Sequence, residues 1–151
     1  MLSFDEVTML VATVGSGIVG GLCFAFASFI MSSFDDLGPP QAIRAMQSIN
    51  SGILRSSAMG AWFGTAVIGI VAAMIAENRG LAITAAVLYG MGAVVITGQG
   101  NVPLNEELGR VDPDGPGAAD AWRRYRIRWG HWNNLRTVLI AASTTFFALA
   151  Q

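Results

Sequence analysis

The sequence predicts an all-α integral membrane protein: a four-helix bundle with amphipathic helical extensions before the second and fourth spans. Three observations lead there. Of 151 residues, 53% are hydrophobic and only 13% charged, about half the charged coat of a soluble domain, and the mean hydropathy is +0.52. Four apolar runs of roughly 20 residues interrupt the chain, each near the length that crosses a bilayer core. All nine basic residues are arginines, and eight lie in or beside the two longer segments between the runs. Length allows one membrane domain over residues 1–151, and a large soluble enzyme is excluded.

The first span covers residues 7–31, where Cys23 is the only ionisable group. Asp5 and Glu6 stand where a secretory signal carries basic residues, so this run reads as a membrane helix. The others cover 58–76, 81–97 and 135–150, with Arg136 at an end from which its stem can snorkel. Termini and the 77–80 turn then share one side, with Arg79 alone, whereas loops 32–57 and 98–134 share the other. The positive-inside rule places both termini outside and both loops in the cytoplasm, in what is expected to be the plasma membrane. Gly17 with Gly21, and Gly60 with Gly64, form G-x-x-x-G pairs suited to tight helix packing. The same glycine faces would serve a homo-oligomer, and sequence does not choose one. No Asp, Glu, Lys or His lies in mid-span, so a proton-coupled carrier lacks its usual machinery.

Pro40 is suited to open a helix from about Gln41 that leads straight into the second span. Ile43, Met46, Ile53 and Leu54 share its apolar face, with Asn50 among them and Gln47 at the edge; an amide there needs a partner, whether another helix or a ligand. Arg44, Ser48, Ser51 and Arg55 form the solvated stripe. Gly98-Gln99-Gly100 should end the third span. Asn105 is then expected to cap a short helix whose first turn holds Glu106 and Glu107. Three of four tryptophans follow, on a helix with Asp120 near its start. Measured from Trp122 at 100° per residue, Trp129, Arg136, Tyr125, Trp132 and Asn133 fall within an arc of about 100°. His131 faces away, near 180°. That aromatic face reads either as a membrane interface belt or as a pocket for a planar, acidic aromatic molecule. Stacking on single-stranded nucleic acid fits a membrane protein poorly.

Two strings are specific together. Gly100-Asn101-Val102-Pro103-Leu104-Asn105, then Trp129, Trp132-Asn133 and Arg136-Thr137, resemble the anthrone oxygenase-like family of small membrane proteins, as does Met46-Gln47-Ser48-Ile49-Asn50. The resemblance spans nearly the whole chain and implies a four-helix membrane fold. It also implies oxidation of an anthrone-like or other acidic aromatic substrate by dioxygen, without a cofactor. No G-x-G-x-x-G string occurs. A metal set from Glu106, Glu107 and His131 is disfavoured because the histidine faces the wrong way. Under this resemblance Arg136 and Asn133 hold the enolate oxygen and Glu106 is the base. Trp129 and Trp132 sandwich the ring, with Trp122, Asn50, Gln47, Asn101 and Asn105 completing the wall. The alternative is a non-catalytic membrane protein that binds a hydrophobic ligand or partner.

Overall fold

The computed structural model describes residues 2–151, which are all-helical. Helix α1 runs unbroken over Phe4–Asp36. Ser3 and Glu6 start it with a reciprocal capping box, the Ser3 amide donating to Glu6 Oε2 at 2.7 Å, which satisfies two amides that no earlier turn can reach. Helix α2 spans Pro39–Ile53, α3 spans Ser57–Ile75, α4 runs over Arg79–Gly109 and α5 over Ala118–Leu149. Helices α1, α3 and α4 are each long and apolar enough to cross a membrane, which makes this an integral membrane protein by composition. The expected fourth span is the second half of α5, a single 32-residue helix whose polar first half separates it from those three. Helix α1 packs on α3 and α5, and α4 packs on the same two.

Four expectations are corrected. Helix α2 does not lead straight into α3, because Leu54–Ser56 form a turn in which the Arg55 and Ser56 amides donate to Gly52 and Ile53. The serines and glycine there favour caps and turns over helix interior, and Leu54, expected on the apolar face, is exposed. Second, Gly98–Gly100 does not end α4. The helix widens there into a π-helical stretch, Gly90–Asn101, so Asn105 lies within the helix and is not its cap. Packing against α5 overrides the glycine stop signal, because a wider turn lets the flat glycine face receive α5. Third, the G-x-x-x-G pairs do not make the close approaches. A Cβ on Gly21, Gly60 or Gly64 would meet nothing within 4 Å, and all three are exposed. The close contacts belong instead to Gly15 against Thr65, Gly69 against Phe147, Gly92, whose Cβ would come 3.2 Å from the Arg136 carbonyl oxygen, and Gly100, whose Cβ would come 2.5 Å from the Trp132 ring. Fourth, α1 extends past Met31 to Asp36, with its own π turn at Phe26–Ile30.

Polar side chains tie the apolar helices together where lipid would offer no partner. Ser143 donates to the Ala85 carbonyl at 2.8 Å, Trp62 Nε1 to the Ala93 carbonyl at 2.6 Å, and the Tyr89 hydroxyl to the Trp62 carbonyl at 2.9 Å. One core cluster fills the space among α1, α3, α4 and the end of α5. A second lies under α2, where Ala42, Ile43 and Met46 cover Trp122, Tyr125 and Trp129.

Candidate functional site: a buried arginine between two indoles

The face computed for α5 is buried except at its margin, where Trp132 is exposed. Trp122, Tyr125, Trp129, Asn133 and Arg136 are all buried, and His131 is exposed. The amphipathic pattern therefore points this stripe inward, and three flat rings line up along it. Trp122 and Tyr125 stack with centroids 5.8 Å apart, Tyr125 and Trp129 at 6.2 Å, and Phe26 leans on Trp129 at 5.5 Å. These separations lie in the favourable range for aromatic pairs. Burial pushes the Tyr125 phenol above its ordinary pKa, while the nearby Asn50 amide opposes this in part.

Arg136 sits two turns deeper, only 7% exposed. Its guanidinium carbon lies 5.4 Å from the centroid of Trp62 and 5.2 Å from that of Trp129, so it is held between two electron-rich faces, each worth about 2 kcal/mol or more when desolvated. Nε and one terminal nitrogen both donate to Asn133 Oδ1, at 3.1 and 2.9 Å, and the other terminal nitrogen donates to Thr97 Oγ1 at 3.2 Å. Asn133 is fixed in turn by donating to the Cys23 carbonyl at 3.0 Å. Guanidinium carries five N–H bonds, so two remain without an acceptor among the described residues. No carboxylate there pairs with it either: the ion pairs join Arg44 to Asp114, Arg123 to Asp120, Arg126 to Asp35 and Arg128 to Glu107. A charge this buried normally has an anionic partner.

Three further polar atoms in the same region are buried without a hydrogen bond: Asn50 Nδ2, Asn101 Oδ1 and Trp129 Nε1. Asn101 uses its other end to donate to the Trp129 carbonyl at 3.2 Å, and the Tyr125 hydroxyl donates to Asn105 Oδ1 at 2.9 Å. Buried polar groups are seldom left unpaired, and here they gather around one step of the aromatic stack.

Of the expected site residues, Asn50, Asn101, Asn105, Trp122, Trp129, Asn133 and Arg136 gather on this core. Gln47 is committed elsewhere, its amide donating to the Leu108 and Val111 carbonyls at 2.9 and 3.0 Å. Trp132, expected to sandwich the ring with Trp129, is 39% exposed, turned out of the stack and laid against Gly100. Glu106 is exposed on α4. Trp62 and Thr97 were missed by sequence reasoning, since they belong to other helices; the one signal was an indole and a hydroxyl inside otherwise apolar runs. The open space lies elsewhere. A groove of about 430 Å³ between α3 and α4 is lined by apolar residues such as Ile70 and Ile83. The hollow beside Tyr125 holds about 10 Å³, room for roughly one water. Among the described residues no cluster of three His, Cys, Asp or Glu side chains is placed to hold a metal ion.

A model of the anthrone oxygenase family matches residues 46–146. The chain belongs to that family. No curated protein and no solved structure matches it. As an anthrone oxygenase family member, the chain is matched from Met46 on α2 to Phe146 near the end of α5, a stretch that contains Trp62, Thr97, Asn101, Trp129, Asn133 and Arg136.

Proposed function

We propose that the protein is a membrane-embedded oxygenase or oxidase that uses dioxygen on an anthrone-like or other acidic aromatic substrate, without a cofactor. The carrying observation is Arg136, a buried, carboxylate-free cation with two spare N–H bonds between two indole faces. That arrangement suits a flat molecule bearing one anionic oxygen. An anthrone becomes such a molecule on losing a proton, and its enolate is electron-rich enough to give an electron to dioxygen. Recombination at the same carbon forms a hydroperoxide, and loss of water leaves the quinone, so one dioxygen turns one anthrone into one anthraquinone and one water. Arg136 and the Asn133 amide would stabilise the enolate oxygen, Trp129 would carry the ring, and Asn50, Asn101 and Asn105 would meet its polar edge. Glu106, being exposed, suits proton removal at the surface before the substrate moves inward.

Access runs under α2. That helix is flanked by Gly38, whose φ of 80° few other residues adopt, and by the Leu54–Ser56 turn. Its polar ties to the loop beyond α4 are the Gln47 bonds and the exposed Arg44–Asp114 pair. We take all four apolar runs to cross the bilayer, with both termini outside and the α2 end in the cytoplasm, as the arginine distribution favours.

The test is dioxygen uptake by the purified protein in lipid nanodiscs supplied with an anthrone. Arg136→Lys and Trp129→Phe should each lower uptake about 100-fold with little change in thermal unfolding. Absence of uptake in the wild type, or unchanged uptake in both variants, would overturn the enzymatic reading. A second reading, a non-catalytic protein that binds a hydrophobic ligand or partner, is favoured by the small size of the hollow beside Tyr125. It predicts ligand binding without dioxygen consumption.

A further inference from the structure

The aromatic stack leads out of the site, and its members differ in one chemical respect: what stands next to the ionisable hydrogen of each ring. Trp129 Nε1, at the inner end, has no acceptor. The Tyr125 hydroxyl faces the neutral amide oxygen of Asn105. Trp122 Nε1, at the outer end, donates to Asp35 Oδ1 at 3.0 Å, and Asp35 is a partly exposed carboxylate that also pairs with Arg126. Loss of one electron makes the ring's N–H or O–H far more acidic than in the neutral ring. Its radical comes to rest where a base can take the proton, and of these three rings only Trp122 has one.

We propose that Trp129, Tyr125 and Trp122 form a one-electron relay that moves oxidising equivalents from the Arg136 region to the Trp122–Asp35 pair, whose carboxylate reaches the protein surface. The chemistry rests on the oxidase reading for its natural oxidant, a peroxyl radical made when a substrate radical that escapes superoxide combines with a second dioxygen. The peroxyl radical gains one electron and becomes a peroxide anion, which picks up a proton from water. That electron leaves Trp129, is replaced through Tyr125, and comes finally from Trp122. Trp122 releases its indole proton to Asp35, leaving a neutral indolyl radical and a carboxylic acid. A soluble thiolate then gives one electron to the Trp122 radical and becomes a thiyl radical, while Asp35 returns the proton to the indole nitrogen. Tyr125 serves as the bridge: with only an amide beside it and its phenol held protonated by burial, it is no resting place. The relay would spare the buried rings around Arg136 from permanent oxidation.

The experiment generates peroxyl radicals inside the bilayer with a lipophilic azo initiator, using the full protein in nanodiscs without substrate, so it stands apart from any anthrone assay. Oxidised tryptophans are then mapped by peptide mass spectrometry. In the wild type, Trp122 should collect more oxidation than Trp129 despite its burial. Tyr125→Phe should cut Trp122 oxidation several-fold and shift it to Trp129. Asp35→Asn keeps an acceptor for the indole but not a base, and should do the same while shortening the life of the tryptophan radical seen by electron paramagnetic resonance. Thermal unfolding of each variant verifies that the fold is intact. Oxidation that follows exposure alone, concentrated on Trp132 and indifferent to residues 125 and 35, would overturn the relay. If the relay is seen but no anthrone is consumed, the enzymatic reading falls and the relay stands.

Discussion

At the scale of single residues, Arg136 is proposed as an anion receptor and Asn133 as its support, and substitution separates the two roles. Arg136→Met replaces an unpaired buried charge with an apolar chain of similar length. Replacing buried charges this way is often neutral or stabilising by about 1–4 kcal/mol, and the acceptor left open on Asn133 Oδ1 costs about 1–3 kcal/mol, so the unfolding temperature should change little while anion binding is lost. Asn133→Ala should instead destabilise. Two guanidinium N–H bonds lose their acceptor and the Cys23 carbonyl loses its donor, which costs about 2–3 kcal/mol and should be visible as a lowered unfolding temperature. The α5 half of this site was legible in the sequence because one helix carries it: 100° per residue places Trp122, Tyr125, Trp129, Asn133 and Arg136 on one stripe, and all are buried. Trp132 lies at the margin of the same arc and turns out exposed. The partners Trp62, Thr97 and the Cys23 carbonyl were not legible, since periodicity within a helix says nothing about which residues of another helix it meets.

At the scale of elements, the unusual feature is the π-helical stretch of α4. π turns are rare and tend to occur at functional sites; this one brings Thr97 and Asn101 onto the α5 contact along with Gly92 and Gly100. Gly92 touches backbone, which cannot step aside as the tip of a flexible side chain would. Gly92→Ala should therefore destabilise the protein by about 1–3 kcal/mol, with Gly64→Ala, at an exposed glycine, as the unaffected control in the same thermal unfolding assay. Sequence reasoning expected a helix end at Gly98–Gly100 because glycine signals a stop when only local chemistry is weighed. Here tertiary packing uses Gly100 for close approach, while Gly98 meets nothing within 4 Å. Helix α2 is a looser element. Gln47→Leu removes the donor from the Leu108 and Val111 carbonyls, and should raise hydrogen exchange across α2 while leaving exchange in α3 unchanged.

At the scale of the whole molecule, composition alone made the membrane class legible, and three helices meet the length and hydropathy of a crossing. The fourth apolar run was harder to read because it continues a helix rich in Arg and Trp. Its topology is testable by thiol labelling, with Cys23 buried as a silent background. Asn78→Cys should react with an impermeant maleimide on intact cells, and Asp112→Cys only after permeabilisation; the reverse pattern would invert the proposed orientation. The central claim is that this bundle carries a receptor for an aromatic anion deep among its helices. Its most direct measurement is tryptophan fluorescence quenching in nanodiscs by two aromatics of equal ring size, one anionic and one neutral. The account predicts that the wild type prefers the anion at least 10-fold, about 1.4 kcal/mol, and that Arg136→Met erases the preference while remaining folded. Equal affinity for both molecules in the wild type, or a preference that survives Arg136→Met, would contradict it.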